Sequence, residues 1–260
     1  MCALPNVDDV QKVSEVILPF IHSFSKMWHF TNHGFQHSEA VKGYIMTIIK
    51  ICEECEINLN EAEENILMCA CWLHDLGRIL ENNDDKDSED HAMNSVKIIK
   101  KLSEKGHLNL GSIKEEVIWV VATHNSKGTI RLEDVEDIRP ITGFDGKVRL
   151  RFLCCLFKIA DECDLDQRRA PKSVYDILED QLPQESKDFW LRHRNVITVE
   201  PSLCEKKIII HMNDPKEEKI AESLKSTLIE PRIQTTLQEY GFPLIDCDIY
   251  YHQNVDIKYD

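Results

Sequence analysis

The sequence lacks three features, and each absence argues against a class of protein. It has no apolar run of membrane-spanning length, and its first residues carry neither the basic region nor the apolar core of a secretory signal. It is also poor in positive charge, with 31 Lys and Arg against 46 Asp and Glu and a formal net charge of −15. We therefore expect a cytoplasmic protein without a broad nucleic-acid surface, although this charge leaves room for a local basic pocket that binds small anions.

A second cysteine pair at zinc-knuckle spacing is also missing. Most of the 10 cysteines lie on apolar-periodic stretches, where reduced thiols are expected in a cytoplasmic protein. Cys52 and Cys55 have the two-residue gap of a knuckle, but no matching pair follows. The spacing favours free thiols over a structural zinc site.

The residues that are present predict a mainly helical first part. With 42% hydrophobic and 30% charged residues, the 260-residue chain is apolar enough to fold around a large core. Apolar residues recur at spacings of three and four from about residue 7 to 175, beginning with a pattern that runs to Phe24. The further predicted helices cover residues 37–56, 60–76, 90–105, 113–123 and 147–164. Residues 81–90 and 125–146 are predicted loops, and Ser88 or Asp90 is the expected cap of the helix after the first loop.

The pattern changes after Trp190. The stretches NVITVEP (195–201), KKIIIHMN (206–213) and IDCDIYYHQ (245–253) read as strands, and the segment between the last two reads as a helix broken near Pro231. We therefore predict an all-α domain over residues 1–185 and a small α+β appendage over residues 186–260, with the boundary within 182–195.

The stretch CWLHDLGRI (71–79) poses a chemical question. Apolar side chains surround His74 and Asp75, and the residues before them are spaced like the buried face of a helix. A buried carboxylate is costly without a cation, a network of donors or water, so Asp75 needs a partner. Gly77 is the expected helix end, where neighbouring side chains can reach one point.

Histidines and aspartates lie at the ends of several predicted helices: His33, His37, His74, Asp75, His91, His124 and Asp161. Neutral imidazoles and carboxylates together are the ligand set of a divalent Mn, Fe, Co, Ni or Zn ion, which would be the missing partner of Asp75. Spacing alone leaves open whether these residues converge, because a histidine on an apolar helix is often a hydrogen-bonded core residue. The other six histidines form no pattern.

Four stretches, in this order over about residues 30–170, resemble the HD-domain superfamily of metal-dependent phosphohydrolases. They are HSEAVKGYI, CWLHDLGRI, DHAMNSVKII and LFKIADECDLD. QRRAPKSVYDIL and ESKDFWLRHRNV resemble the HD subgroup that is associated with GHKL-type ATPases in microbes. The resemblance implies an HD-type helical bundle. It also makes a GHKL-type ATPase or a second copy of the chain a conceivable partner.

By this resemblance, one metal ion would be held by His37, His74, Asp75 and Asp161. His91 and His124 are similar in place to the additional histidines of HD proteins with two metals, in which Asp75 would bridge. A single ion is the alternative, and Mg is possible besides the transition metals. The chain lacks the Gly-Tyr-Pro element of cyclic-di-GMP phosphodiesterases, which puts that activity in doubt.

The implied activity is hydrolysis of a phosphoester, with a nucleotide or another small phosphorylated molecule as substrate and metal-activated water as nucleophile. Arg78 and Lys158 are the candidates for stabilising charge on the phosphoryl oxygens, and Arg168 and Arg169 for binding a further phosphate. A solvated helix end is the competing interpretation for these last two arginines. His33 is a candidate hydrogen-bond donor near the site or acid for the leaving group.

Two other functions remain open. HD-type helical sites also include oxygenases with two iron ions, which a metal analysis and a colour spectrum would reveal. A nucleotide-sensing module without turnover is the non-enzymatic reading, and the complete ligand set argues against it.

Overall fold

In the computed structural model of the chain, the described residues are 3–21, 31, 33–80, 90–125, 128–142, 146–202, 205, 207–213, 222, 225–226, 230–243 and 246–252. Within them the protein is mainly helical, with a small sheet towards the C-terminus, which confirms the predicted fold class. Residues 22–24 of the first helical pattern and residues 81–89 of the acidic loop, including Ser88, lie outside the described ranges. No helix among the described residues is long and apolar enough to cross a membrane.

The chain divides into two compact units, the first formed by Met1–Trp28 and His33–Asp161. Its helices are α1 (Val7–Ile17), α2 (Phe35–Glu54), α3 (Glu61–Leu73), α4 (His91–Glu104), α5 (Lys114–Thr123) and α6 (Leu150–Glu162). Each of the helices predicted between residues 37 and 164 is present, with ends shifted by at most three residues. The described residues of the predicted loop 125–146 include the 3-10 turn Leu132–Asp134 and strand β1 (Arg139–Pro140), which pairs with β2 (Lys147–Val148).

Helix α3 shows why this part of the chain folds as predicted. Asn60 caps its first turn in a capping box with Glu63, which satisfies backbone N–H groups that have no partner within the helix. Nine residues of the helix are buried, including the run from Cys69 to Leu73. The helix therefore lies within the core and delivers His74, its C-cap, and Asp75 into an apolar setting.

Gly77 has a different role from the predicted one. Helix α3 ends at Leu73, and Gly77 lies within the 3-10 turn Leu76–Leu80, against which α4 packs. A Cβ atom at Gly77 would lie 2.1 Å from the carbonyl oxygen of His91 and 2.3 Å from the backbone nitrogen of Ser95. The backbone N–H of Gly77 donates to Ser95 Oγ at 2.7 Å. Glycine is required here because α4 approaches the turn closely.

The second unit comprises His29–Asn32 and Glu162–Asp260. Its helices are α7 (Lys172–Leu178), α8 (Gln184–Asn195) and α9 (Pro231–Glu239), and its strands are β3 (Val196–Ser202), β4 (Lys207–Met212) and β5 (Asp246–Tyr251). The sheet order is β3-β4-β5, antiparallel between β3 and β4 and parallel between β4 and β5. All three predicted strands are confirmed. Pro231 starts α9 at the position where a missing N–H costs nothing.

Along the sequence, the first unit ends at Asp161 and the second continues from Glu162, so residues 162–185 group with the second unit. The sequence instead assigned them to a domain that ends at residue 185. The assignment of domains as folding units stays a prediction.

Candidate metal centre

His74 and Asp75 lie at the end of α3, and both are at most 2% exposed. The helix ends here, so two consecutive side chains can turn to the same side. They meet side chains from α2, α4, α5 and α6, and the resulting groups of possible metal ligands fall into two sets that share Asp75.

The first set joins α2, the end of α3 and α6. The Nε2 atoms of His37 and His74 are 3.0 Å apart, and Asp161 Oδ1 lies 3.1 Å from the first and 3.4 Å from the second. Asp75 Oδ2 is 3.6 Å from each of these two nitrogens. His37, His74 and Asp161 thus have ligand atoms close enough to hold one ion, and Asp75 Oδ2 lies beside the two histidines.

The second set lies on the other side of the Asp75 carboxylate. His91 is the first residue of α4 and His124 is the C-cap of α5, and their Nε2 atoms are 2.9 Å apart. Asp75 Oδ1 is 3.8 Å from both nitrogens. Because Oδ2 faces the first set and Oδ1 the second, Asp75 has the position of a bridging ligand.

Two further side chains hold the Asp75 carboxylate. His33 Nδ1 lies 2.8 Å from Oδ2, so its N–H donates to that oxygen, and Arg78 Nε donates to Oδ1 at 3.2 Å. Arg78 Nη2 is also 3.4 Å from His91 Nε2. These contacts fix the orientation of the carboxylate.

The backbone fixes the tautomers of two of the histidines. Nδ1 of His74 donates to the carbonyl of Cys71 at 2.9 Å, and Nδ1 of His124 donates to that of Val121 at 2.6 Å. A carbonyl oxygen only accepts, so the proton is on Nδ1 and the Nε2 of a neutral ring presents a lone pair. Burial lowers the pKa of His124 and holds that of His91 well below its ordinary value, which favours neutral rings.

Both carboxyl groups have a pKa well below the ordinary value, which favours their charged form. Burial alone would raise the pKa of Asp75, but the charge of Arg78 and the nearby His74 and His33 outweigh it and hold this pKa well below the ordinary value. For Asp161, burial is likewise outweighed by His74 and His37, and the pKa is well below the ordinary value.

The arrangement fits a divalent cation. Where His74 and His124 are neutral, the lone pair on each Nε2 faces a carboxylate oxygen, of Asp161 and of Asp75 respectively, and this repulsion between acceptors is relieved by a positive ion. Among the described residues, three groups could hold a metal ion: His33, His37 and Asp75; His37, His74 and Asp161; and Asp75, His91 and His124. The structure therefore brings together all six predicted ligands, which the sequence could only place on separate helices.

Sequence reasoning missed the side chains that support the second set. Asp90 Oδ1 caps α4 through Ala92 N and also accepts from Asn125 Nδ2 at 2.9 Å, while Oδ2 accepts from the backbone N–H of Thr129 at 2.7 Å. Asp90 was predicted only as a cap. Asp90 directly precedes His91, and its hydrogen bond to Asn125, which directly follows His124, also links the two ligand segments.

Ser95 was also missed. Its hydroxyl donates to the carbonyl of His74 and accepts from the N–H of Gly77, so it fixes the backbone on both sides of Asp75. Its position one turn after His91 was the only signal in the sequence.

The remaining predicted residues have other surroundings. Lys158 is half-buried on α6, one turn before Asp161. In the second unit, Arg168 binds the carboxylate of Asp166, and Arg169 is buried and donates to the carbonyl of Asp164 at 2.9 Å. Both arginines therefore have acidic or carbonyl partners within their own segment, and binding of phosphate by them stays a prediction.

Comparison with known proteins gives one family. The family model HD-CE matches residues 27–239, which is most of the chain and includes every residue of the two ligand sets. No curated protein matches the chain. The His and Asp residues form groups that could hold a metal ion, and the chain belongs to the HD-CE family.

Proposed function

We propose that this protein is a metal-dependent phosphohydrolase that acts on a nucleotide or another small phosphorylated molecule. The main support for the proposal is that one set of possible metal ligands faces Asp75 Oδ2 and a second set faces Asp75 Oδ1. Membership of an HD-type family supports hydrolysis by metal-activated water.

The proposed ligands are His37, His74, Asp75 and Asp161 for one ion, with His91, His124 and the second oxygen of Asp75 for another. Mn, Fe, Co, Ni or Zn suits this mixture of imidazole and carboxylate, and Mg is possible. When bound, such an ion lowers the pKa of a coordinated water towards neutrality and withdraws charge from phosphoryl oxygens.

The protein's own groups would then orient the substrate and stabilise charge. Arg78 is 16% exposed at its side chain and lies beside Asp75, so its guanidinium is the proposed partner of a phosphoryl oxygen. Lys158 is the proposed second cation, and Asp75 holds the ligand geometry. His33 has its Nδ1 proton on Asp75, which fits a residue that positions the carboxylate better than an acid for the leaving group.

In the proposed reaction, the oxygen of water forms a bond to phosphorus as the bond from phosphorus to the leaving oxygen breaks. One proton of the water passes to the leaving oxygen, directly or through solvent, and the other stays on the new phosphate. Arg168 and Arg169 are proposed to bind a further phosphate of a longer substrate. A GHKL-type ATPase or a second copy of the chain is the proposed partner, on the sequence resemblance alone.

The test is a metal analysis followed by a substrate panel. We expect one or two transition-metal ions per chain after reconstitution with Mn, Co or Ni, and release of phosphate or of a phosphomonoester from at least one nucleotide. Metal binding without turnover of any nucleotide or of bis-p-nitrophenyl phosphate would favour a sensing module. Two iron ions with an absorption band in the visible range and oxygen consumption would favour an oxygenase.

A further inference from the structure

We propose that Arg78 couples anion binding to occupancy of the second ion position, because its guanidinium occupies that position's ligand atoms until an anion draws it away. This inference rests on the proposed function, since it assumes that metal ions and phosphate meet at this site. It adds a regulatory role to a residue otherwise assigned to substrate binding.

The geometry places the guanidinium between two members of the second set. Arg78 Nε is 3.2 Å from Asp75 Oδ1, and Arg78 Nη2 is 3.4 Å from His91 Nε2. These are the two atoms that, with His124 Nε2, would hold the second ion. The guanidinium therefore lies against two of the three atoms that would hold the second ion.

A metal ion and the guanidinium compete for this position. A ring nitrogen of His91 has at most one lone pair to offer, and two positive charges within a few ångströms repel each other strongly in a buried site. The first set is affected much less, because it takes the other oxygen of Asp75 together with His37, His74 and Asp161. We therefore expect one ion to bind tightly and the second to bind weakly while Arg78 remains in place.

An anion changes this balance. The Arg78 backbone is held by its N–H bond to the carbonyl of Asp75, whereas the side chain is 16% exposed, so a phosphate can reach the guanidinium. A dianion that accepts two parallel hydrogen bonds from the planar guanidinium competes well with its contact to Asp75. Once the guanidinium turns to the anion, Asp75 Oδ1 and His91 Nε2 are available to the second ion. By linkage, the second ion must favour anion binding by the same factor.

The consequence is that the second ion position fills when substrate arrives. A reaction that needs two metal ions would then take place only in protein molecules that have bound phosphate. In the absence of phosphate, Arg78 would supply the positive charge that Asp75 requires.

The experiment is a calorimetric titration of the full-length protein, stripped of metal, with Mn²⁺ in the presence and absence of sulfate. Sulfate serves as a tetrahedral dianion that the protein does not hydrolyse. For the unmodified protein we expect two unequal steps, with the weaker one tightened about tenfold by sulfate. In Arg78→Gln, the weaker step should already be about tenfold tighter without sulfate and should no longer respond to it.

Two further variants make the result specific. Arg78→Lys keeps the charge but offers a single donor group, so it should hold the second ion off less well than arginine and give an intermediate affinity. Arg151→Gln is the matched control in the same unit, because Arg151 Nη2 donates to the carbonyl of Val135 instead of to the ligand sets. It should behave as the unmodified protein.

The inference is overturned if folded Arg78→Gln binds its second ion as weakly as the unmodified protein, if sulfate still tightens that step in Arg78→Gln, or if every variant binds a single ion. Failure of the proposed function is a separate result, because the titration involves no turnover. A protein with this coupling but without esterase activity keeps the inference and loses the hydrolase.

Discussion

The pair of His37 and His74 and the pair of His211 and His252 both have ring nitrogens at hydrogen-bonding distance, and their surroundings differ. His37 and His74 lie 3.0 Å apart at Nε2 in the first unit, and His211 Nδ1 lies 2.7 Å from His252 Nε2 on the sheet of the second unit. The first pair faces the buried carboxylate of Asp75 and the carboxylate of Asp161, which is 18% exposed. The second has Glu200, 61% exposed, at 3.8 Å from the opposite nitrogen of His211.

The difference shows what makes a pair of histidines into a candidate metal site. In the second pair, one ring donates its proton to the other and water solvates Glu200, so no positive ion is required. In the first pair, the carboxylates of buried Asp75 and of Asp161 hold negative charge largely away from water, where positive charge nearby offsets the cost of burial, and Arg78 supplies part of it for Asp75. The buried carboxylate, more than the histidine pair, creates the demand for a metal ion.

The largest expected effect comes from removing that carboxylate. Asp75→Asn keeps the side-chain volume but loses the negative charge and one of the two facing oxygens, so metal affinity should fall and turnover should drop at least ~100-fold. Metal content by elemental analysis and turnover per folded molecule are the measurements.

Glu200→Gln is the matched control at the other histidine pair, and it should leave metal content, melting temperature and turnover unchanged. If Asp75→Asn kept both its metal and its turnover, the interpretation of the first pair would be wrong. A raised or lowered melting temperature of the metal-free protein alone would indicate a purely structural carboxylate.

A smaller effect is expected from disturbing the packing behind the ligands. In Gly77→Ala, the new Cβ would meet the carbonyl oxygen of His91 at 2.1 Å, so α4 must shift and carry His91 away from Asp75. We expect a loss of about 1–3 kcal/mol in the free energy of unfolding and weaker binding of the second ion. Denaturant unfolding and metal titration measure the two effects.

Gly43→Ala is the control, because Gly43 lies within α2 and a Cβ there has nothing within 4 Å. It should stabilise the protein by about 0.5–1 kcal/mol through helix propensity. Equal behaviour of the two alanine variants would show that α4 does not depend on close contact at Gly77.

The smallest expected effect is at Asp90. In Asp90→Ser, the cap of α4 survives, since serine caps well, but the links to Asn125 and Thr129 are lost. We expect several-fold weaker binding of the second ion, unchanged binding of the first, and a stability loss of about 1 kcal/mol. Asn6→Ser, at the cap of α1, is the control and should leave both binding steps unchanged. Equal weakening of both steps would contradict a role confined to the second set.

Much of the fold followed from periodicity in the sequence. The helices of the first unit repeat apolar residues at three and four, and β4 alternates Ile208, Ile210 and Met212 on its buried side. The role of Gly77 did not follow, because close contact between α4 and a turn 14 residues earlier is a property of packing. The 3-10 turn itself also has too few residues to show a period.

The candidate site was predictable in its members but not in its arrangement. The order of His37, His74-Asp75 and Asp161 resembled a known family, and the ligand types indicated a divalent cation. The direction of each Asp75 oxygen, the guanidinium of Arg78 at the second set and the Asp90 links depend on side-chain geometry, which a single sequence does not contain. The contact between His211 and His252 was missed for the same reason.

The salt bridge between Glu63 and Arg149 fixes where two helices of the site begin relative to each other. Buried Glu63, at the start of α3, accepts from Arg149 Nε at 2.8 Å and Nη2 at 2.6 Å, and Arg149 directly precedes α6. The two helices have 13 residues each, and beyond this shared starting point they bring His74 and Asp161 to 3.4 Å from each other. One residue inserted in either helix would turn its end by about 100° and advance it by about 1.5 Å relative to the other. We therefore expect an insertion or deletion to leave the site intact only where it falls outside these two helices.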